Sequence, residues 1–249
     1  MERREFLAGA VAAAAAAVGG LTLPGAAQAA IGTKHYVIGH STKGRPIKAY
    51  VIGDENSSNQ CLVMGQMHGD EGAGRIVCHD RLLHKPPIAD VALWVIPTMN
   101  PDGSIRGTRV NGRGVDLNRN FPSKTWVLEG KGTRYYSGPH PASEPETRAI
   151  LKFFSDLQPR TIVSMHQPLA CVDFSGGSHA VTHWLSDHLG LPVSHISLGG
   201  TGGGTMTSWY NHKYPKKTAV TVELPQSTSP QFRGHVANVL HNLTRERRK

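Results

Sequence analysis

Cysteine is scarce in this 249-residue chain, with only Cys61, Cys78 and Cys171 present. That count excludes a disulfide-dense scaffold, allows at most one internal bridge and leaves at least one thiol. Charged residues are 18% of the chain and apolar residues 39%. So low a charge beside an ordinary apolar content excludes a wholly disordered chain. The 28 glycines follow no period of three, which excludes a collagen-like helix. No internal repeat is present. Beyond the N-terminal segment no stretch approaches the ~20 apolar residues that a membrane helix needs. What remains is one medium globular domain, long enough to bury a real core.

Several chemistries are missing as well. The run Gly199-Gly200-Thr201-Gly202-Gly203-Gly204 is not followed by Gly-Lys-Ser/Thr, so it is no phosphate loop and reads instead as a flexible rim or lid. There is no His-Glu-x-x-His, which excludes the helical zinc-protease arrangement. The formal charge is +9, yet no basic stripe with interleaved aromatics occurs, and the densest basic run is the tail Arg245-Glu246-Arg247-Arg248-Lys249. Nucleic acid is therefore not an expected partner, although the net charge favours anionic partners in general.

Residues 1–29 read as an export signal. Arg3-Arg4-Glu5-Phe6-Leu7 precedes an Ala-rich run, and Ala27-Gln28-Ala29 supplies a small-residue cleavage pattern. The opening resembles the twin-arginine signal of bacteria, a route that exports folded proteins. The expected organisation is a signal over 1–29 and a single domain over 30–249. Removing the signal leaves 220 residues and keeps the charge at +9, since Glu2, Arg3, Arg4 and Glu5 cancel. The mature chain is expected outside the cytoplasmic membrane, secreted or in the periplasm or wall, with no stable membrane insertion. The acidic polymers of a bacterial wall are then the nearest anion.

Residues 36–38 and 47–52 flank the turn-forming Ser41-Thr42-Lys43-Gly44-Arg45-Pro46 and predict an antiparallel pair. Residues 61–65, 91–96, 161–164 and 218–224 read as strands. Residues 71–83, 179–189, 205–211 and 231–243 read as helices, the second closed by Gly190. Ser143-Glu144-Pro145-Glu146 predicts a helix start, with Ser143 as cap, Glu146 completing a capping box and Pro145 in the first turn. The alternation implies an α/β fold: a mixed, mostly parallel central sheet with helices on both faces. Residues 97–141 are turn-rich, and so long an irregular stretch inside a compact domain marks function.

In such sheets the site lies at strand ends. His68-Gly69-Asp70-Glu71 follows one predicted strand, His166 a second, and Glu223 ends a third. Zinc takes imidazole nitrogen and carboxylate oxygen in a tetrahedron with one open corner. His68 and Glu71, three apart on a strand-to-helix turn, are close enough to share an ion, and His166 is the distant third candidate. Arg106-Gly107-Thr108-Arg109 and Asp116-Leu117-Asn118-Arg119-Asn120-Phe121 place several arginines and asparagines in one loop, either an anion-binding wall or ordinary surface charge.

With Asn100-Pro101-Asp102-Gly103 and Ser143-Glu144-Pro145-Glu146-Thr147 in the same order, these motifs cover nearly all of residues 30–249. The sequence resembles a zinc carboxypeptidase of the carboxypeptidase A type. Within it the likeness is to compact bacterial murein peptide amidases, through Asp116 to Pro122, His166 to Cys171 and Gly204 to Trp209. Those enzymes cut the γ-D-glutamyl–diaminopimelate bond of wall peptides. The resemblance implies the same compact fold and one Zn2+ held by His68, Glu71 and His166. It makes Glu223 the general base, Arg106 the oxyanion donor, and Asn118 and Arg119 the clamp for the substrate's terminal carboxylate. Asp116 is expected either to orient one of these groups or to be simple loop structure. Met206 and Thr207 are expected to shape the side-chain pocket, and neither is charged. Two departures stand out: the glycine run lacks the family's tyrosine, and Gln167 replaces a residue that is acidic in murein amidases. The substrate expected is a peptidoglycan-derived peptide. A general extracellular carboxypeptidase, an inactive wall-binding module and a deacylase of N-acyl amino acids are the competing readings.

Overall fold

The computed structural model describes residues 34–174, 176–196 and 202–246. The expected export signal, and residues 199–201 of the glycine run, lie outside the described residues. The strands are β1 (Lys34–His40), β2 (Pro46–Gly53), β3 (Gln60–Met64), β4 (Ala92–Ile96), β5 (Thr161–His166), β6 (Leu169–Asp173), β7 (Val193–Ser194) and β8 (Thr218–Pro225). The helices are α1 (Ala73–Asp80), α2 (Pro101–Arg106), α3 (Pro145–Leu157), α4 (His179–Leu189), α5 (Met206–Lys213) and α6 (Pro230–Leu243). Short 3-10 turns occupy Leu82–His84 and Leu117–Arg119.

Among the described residues the eight strands form one sheet in the order β1-β2-β4-β3-β5-β8-β6-β7. The block β4-β3-β5-β8 is parallel. β1–β2, β2–β4 and β6–β8 pair antiparallel. The mixed sheet follows the sequence reading. The ends that carry the predicted site belong to β3, β5 and β8, which are consecutive neighbours in the sheet.

Every residue of β3, β4 and β5 is buried, which requires cover on both faces. Successive side chains along a strand point to opposite faces. Cys61, Val63, Leu93, Val95, Val163 and Val220 accordingly join one core, with Val77 of α1, Leu185 of α4 and Leu240 of α6. Leu62, Met64, Trp94, Ile96, Ile162 and Ala219 join the other, with Ile150 and Phe153 of α3 and Tyr210 of α5. Each such fully buried large side chain contributes roughly 1.5–3 kcal/mol by leaving water. All three cysteines are buried free thiols, so no pair is bridged.

Local chemistry sets most helix starts. Ser178, Thr205 and Ser229 each accept a hydrogen bond from a backbone N–H in the first turn of α4, α5 and α6. The start of α3 differs from expectation: Glu144, not Ser143, is the cap residue, and no capping box forms. The Ser143 hydroxyl instead accepts from Asn120 and donates to Glu144. Glu146, fully buried, accepts from the Thr42 N–H and hydroxyl and from Asn111 Nδ2. Glu144 also accepts from Asn111 Nδ2, at 2.8 Å. These buried carboxylates serve to fasten the long loop rather than to cap a helix. Asn100-Pro101-Asp102-Gly103, expected as a turn, begins α2: Asn100 accepts from the Gly103 N–H and Pro101 sits where its missing donor costs nothing.

Candidate active site

His68 and Glu71 lie in the turn between β3 and α1. The helix expected from residue 71 starts only at Ala73, so Glu71 stays in the turn, where its N–H donates to the His68 carbonyl. His166 is the last residue of β5. The three are buried, and one ligand atom of each lies within 4.8 Å of the others. His68 Nδ1 stands 2.8 Å from Glu71 Oε1 and 3.2 Å from His166 Nδ1, and His166 Nδ1 stands 3.0 Å from Glu71 Oε2. Two zinc ligands at tetrahedral angles lie ~3.3 Å apart. The donor set and its spacing therefore fit a zinc ion at the point the two Nδ1 atoms share.

The other ring nitrogens are occupied. His68 Nε2 stands 3.1 Å from Asp116 Oδ1, and His166 Nε2 stands 3.2 Å from the Ser164 hydroxyl. Such partners fix ring orientation and leave Nδ1 as the ligating atom. Asp116 also accepts from Arg109 Nε at 2.9 Å and from the Asn118 N–H at 2.9 Å. It thus orients the His68 imidazole, orders an arginine and shapes the loop at once. Burial opposes ionisation of Asp116, but His68 and then Arg109 outweigh it, and its carboxyl lies well below the usual range. Burial likewise opposes Glu71, and His68 and His166 reverse the effect. For His68, burial pulls the imidazole down while Glu71 and Asp116 more than restore it. The field at this point favours positive charge. Asp116→Asn should weaken zinc affinity ~10- to 100-fold, because the charge behind His68 is lost while the shape is kept. Competition with a graded chelator measures it, and unchanged affinity would remove Asp116 from the metal centre.

Glu223 lies directly across the ladder from His166. It is outside the ligand cluster, and its Oε2 accepts the Leu169 N–H at 3.4 Å. Burial pushes its carboxyl above the ordinary range, Glu71 pushes the same way and His166 opposes. A raised carboxyl is a better match for proton transfer near neutral pH.

These groups line a cavity of about 230 Å³ together with Asn118, Arg119, Arg109 and Thr207. Asn118 Oδ1 accepts from the Met206 N–H at 3.0 Å, which leaves its Nδ2 donors for a ligand. Arg119 Nη1 donates to the Asn118 carbonyl, and its guanidinium lies 5.2 Å from the Tyr135 ring centre. Tyr135 and Arg134, from the long loop, also line the cavity, and neither was singled out from the sequence.

Two sequence-predicted residues are not brought here. Arg106 is exposed, and its guanidinium donates to the Asn111 carbonyl. α2 ends at Arg106, and left-handed Gly107 reverses the chain, so that Arg109 rather than Arg106 turns into the cavity. Arg109 Nη1 lies 3.3 Å from Glu71 Oε1. Met206 is 1% exposed and packs in the α3/α5 core, while Thr207, one helical step on, faces the cavity.

The two departures have structural outcomes. Gln167 Oε1 accepts the Ala73 N–H, and Nε2 donates to the carbonyls of Pro225 and Gln226. A carboxylate would face two carbonyl oxygens there, so an amide suits the position. In the glycine run, Gly203 and Gly204 are not a loose rim. A Cβ on Gly204 would come within 2.1 Å of the Arg119 carbonyl oxygen, and Gly204 adopts a left-handed φ of +74°. Gly69 and Gly103 similarly allow the His68–Glu71 turn to touch the Asn-Pro-Asp-Gly segment, since a Cβ on Gly69 would lie 2.0 Å from the Gly103 carbonyl carbon.

The profile of the zinc carboxypeptidases (Peptidase_M14) matches residues 26–187. The murein peptide amidase A of Escherichia coli K12 is 31% identical over 225 residues, covering 86% of this chain and 90% of that protein. The Vibrio campbellii murein peptide amidase A is 32% identical over 198 residues, 75% of this chain and 77% of that one. The crystal structure of the murein-tripeptide amidase of Escherichia coli O157 superposes with a TM-score of 0.73 at 29% identity, covering 86% of this chain and 93% of that one. With a His-Glu-His cluster at adjoining strand ends, the chain belongs to the zinc carboxypeptidase family and is a metallopeptidase hydrolase.

Proposed function

We propose that the chain is an exported zinc carboxypeptidase that cuts peptidoglycan-derived peptides at the γ-D-glutamyl–diaminopimelate bond. The observation that carries the reading is one cavity that joins the His68–Glu71–His166 cluster, the Glu223 carboxylate and the Asn118–Arg119 pair. Likeness to murein peptide amidases over most of the chain supports the wall substrate. The Arg3-Arg4 opening and the Ala27-Gln28-Ala29 pattern support export. Cell fractionation that finds the full-length chain only in the cytoplasm would end the export reading.

His68, Glu71 and His166 would hold the zinc, which supplies Lewis acidity and lowers the pKa of water towards ~7. Asn118 and Arg119 grip the substrate's terminal carboxylate and so place the preceding peptide bond beside Glu223. Glu223 takes a proton from the attacking water as its oxygen bonds to the carbonyl carbon. It then gives that proton to the amine nitrogen as the C–N bond breaks. Arg109 meets the negative charge that grows on the carbonyl oxygen, a stabilisation that exists only on the way to the tetrahedral stage.

The test is mass spectrometry of defined substrates before and after incubation with the zinc-loaded enzyme, with and without a chelator. The tripeptide L-Ala-γ-D-Glu-diaminopimelate should lose its last residue, and the chelator should prevent it. Cleavage of ordinary C-terminal dipeptides alone would replace the wall reading with that of a general extracellular carboxypeptidase.

A further inference from the structure

The cavity holds an acid that the mechanism above does not use. Asp173 ends β6, is 6% exposed and lines the cavity. In the antiparallel β6–β8 ladder, Cys171 faces Glu223 and Asp173 faces Thr221. Strand alternation therefore sets Asp173, Thr221, Glu223 and His166 on one sheet face, with Asp173 two residues further from the strand end of β8 than Glu223. Two residues span ~7 Å along a strand. Asp173 Oδ1 accepts the Ile196 N–H at 3.0 Å. Among the described residues it has no lysine or arginine partner, and Ile196 and Thr221, its hydrogen-bond and ladder partners, are uncharged. Burial raises its carboxyl above the ordinary range, and His195 and His166 oppose this more weakly than burial acts. A buried carboxylate so placed is costly unless a cation meets it.

Arg109, Arg119 and Arg134 line the same cavity. The lining therefore offers cations to a carboxylate and, at Asp173, an anion to an ammonium. We propose that Asp173 is a specificity-determining residue, receiving the side-chain ammonium of a C-terminal diamino acid whose α-carboxylate lies at Asn118 and Arg119. This rests on the carboxypeptidase reading above and names the feature of the substrate that the cavity selects. The reach is right: in diaminopimelate or lysine the distal nitrogen stands ~6 Å from Cα when extended, close to the stride between the Glu223 and Asp173 levels. Thr207, which lines the cavity, carries no charge; the selecting acid comes instead from β6, which pairs with β8.

The experiment compares L-Ala-γ-D-Glu-X peptides in which X is diaminopimelate, lysine or norleucine, the last sharing lysine's carbon chain but lacking the ammonium. The wild-type enzyme should favour the cationic peptides over norleucine by ~100-fold or more in kcat/KM, because a buried polar group left without its partner is strongly selected against. Asp173→Asn should bring that ratio down by at least ~10-fold, towards one. A wild-type ratio within about threefold of one, or a ratio unchanged in Asp173→Asn, overturns the assignment, and the first of these needs no variant to fold. A second arm titrates free lysine and norleucine into zinc-loaded wild-type protein by calorimetry. Tighter binding of lysine supports the role of Asp173, and equal binding overturns it. Should none of the peptides be cut, the wall-peptidase reading fails, and the same titration on Asp173→Asn still decides the role of Asp173: a lysine preference lost in the variant supports it, and one that persists overturns it.

Discussion

Replacing Glu223 with glutamine is expected to lower kcat by ~1000-fold or more while zinc remains bound at the wild-type level. General acid–base groups contribute ~100- to 10,000-fold, and here one residue serves both the attack and the departure of the amine. Glutamine has the same shape and keeps a carbonyl oxygen for the Leu169 N–H, so the strand end is undisturbed. Glu223 is outside the His68–Glu71–His166 cluster, so metal content should not follow activity. Kinetics on the wall tripeptide, paired with atomic absorption for zinc, makes the measurement. Activity within tenfold of wild type would move the proton-transfer role elsewhere.

Arg109→Ala should cost ~100- to 1000-fold, chiefly in kcat, the usual loss when one preorganised oxyanion donor is removed. Arg106→Ala should change kcat by less than about threefold, since its guanidinium holds a loop carbonyl outside the cavity and surface replacements of that kind are mild. The pair of variants discriminates sharply because the two arginines lie three residues apart in one segment. Arg109 also touches Asp116 and Glu71, so zinc content must be measured alongside. A large loss from Arg106→Ala with a small one from Arg109→Ala would reverse the assignment drawn from the cavity.

The proximity of His68, Glu71 and His166 is legible in the sequence because its signal is short-range and chemical. His68 and Glu71 share one turn, and His166 and Glu223 end strongly apolar, β-branched runs. The strands of the parallel block and the helices α4 and α6 were legible for a similar reason, as period and capping agreed. Arg109 rather than Arg106 lines the cavity because the direction of a side chain after a helix end depends on one left-handed residue, Gly107, which a motif does not reveal. Met206 was expected in the cavity because the N-terminal step of α5 determines which of two adjacent residues faces inward. β6 carries no such signal: it is five residues long and follows Pro168 directly, so neither length nor alternation marks it. The same holds for Asp173, whose position depends wholly on pairing with β8. The capping box failed because Glu144 and Glu146 are acceptors for distant residues, Thr42 and Asn111, which no local pattern can foresee.

The rung that joins His166 to Glu223 has a practical consequence. Adjacent strands stand ~4.8 Å apart wherever a sheet is formed, so the offset between His166 and Glu223 is inherited from the backbone lattice. Loops at the mouth can be exchanged, lengthened or retargeted to another leaving group without recalibrating that offset. Engineering of substrate choice in this scaffold is in this sense decoupled from engineering of its chemical step.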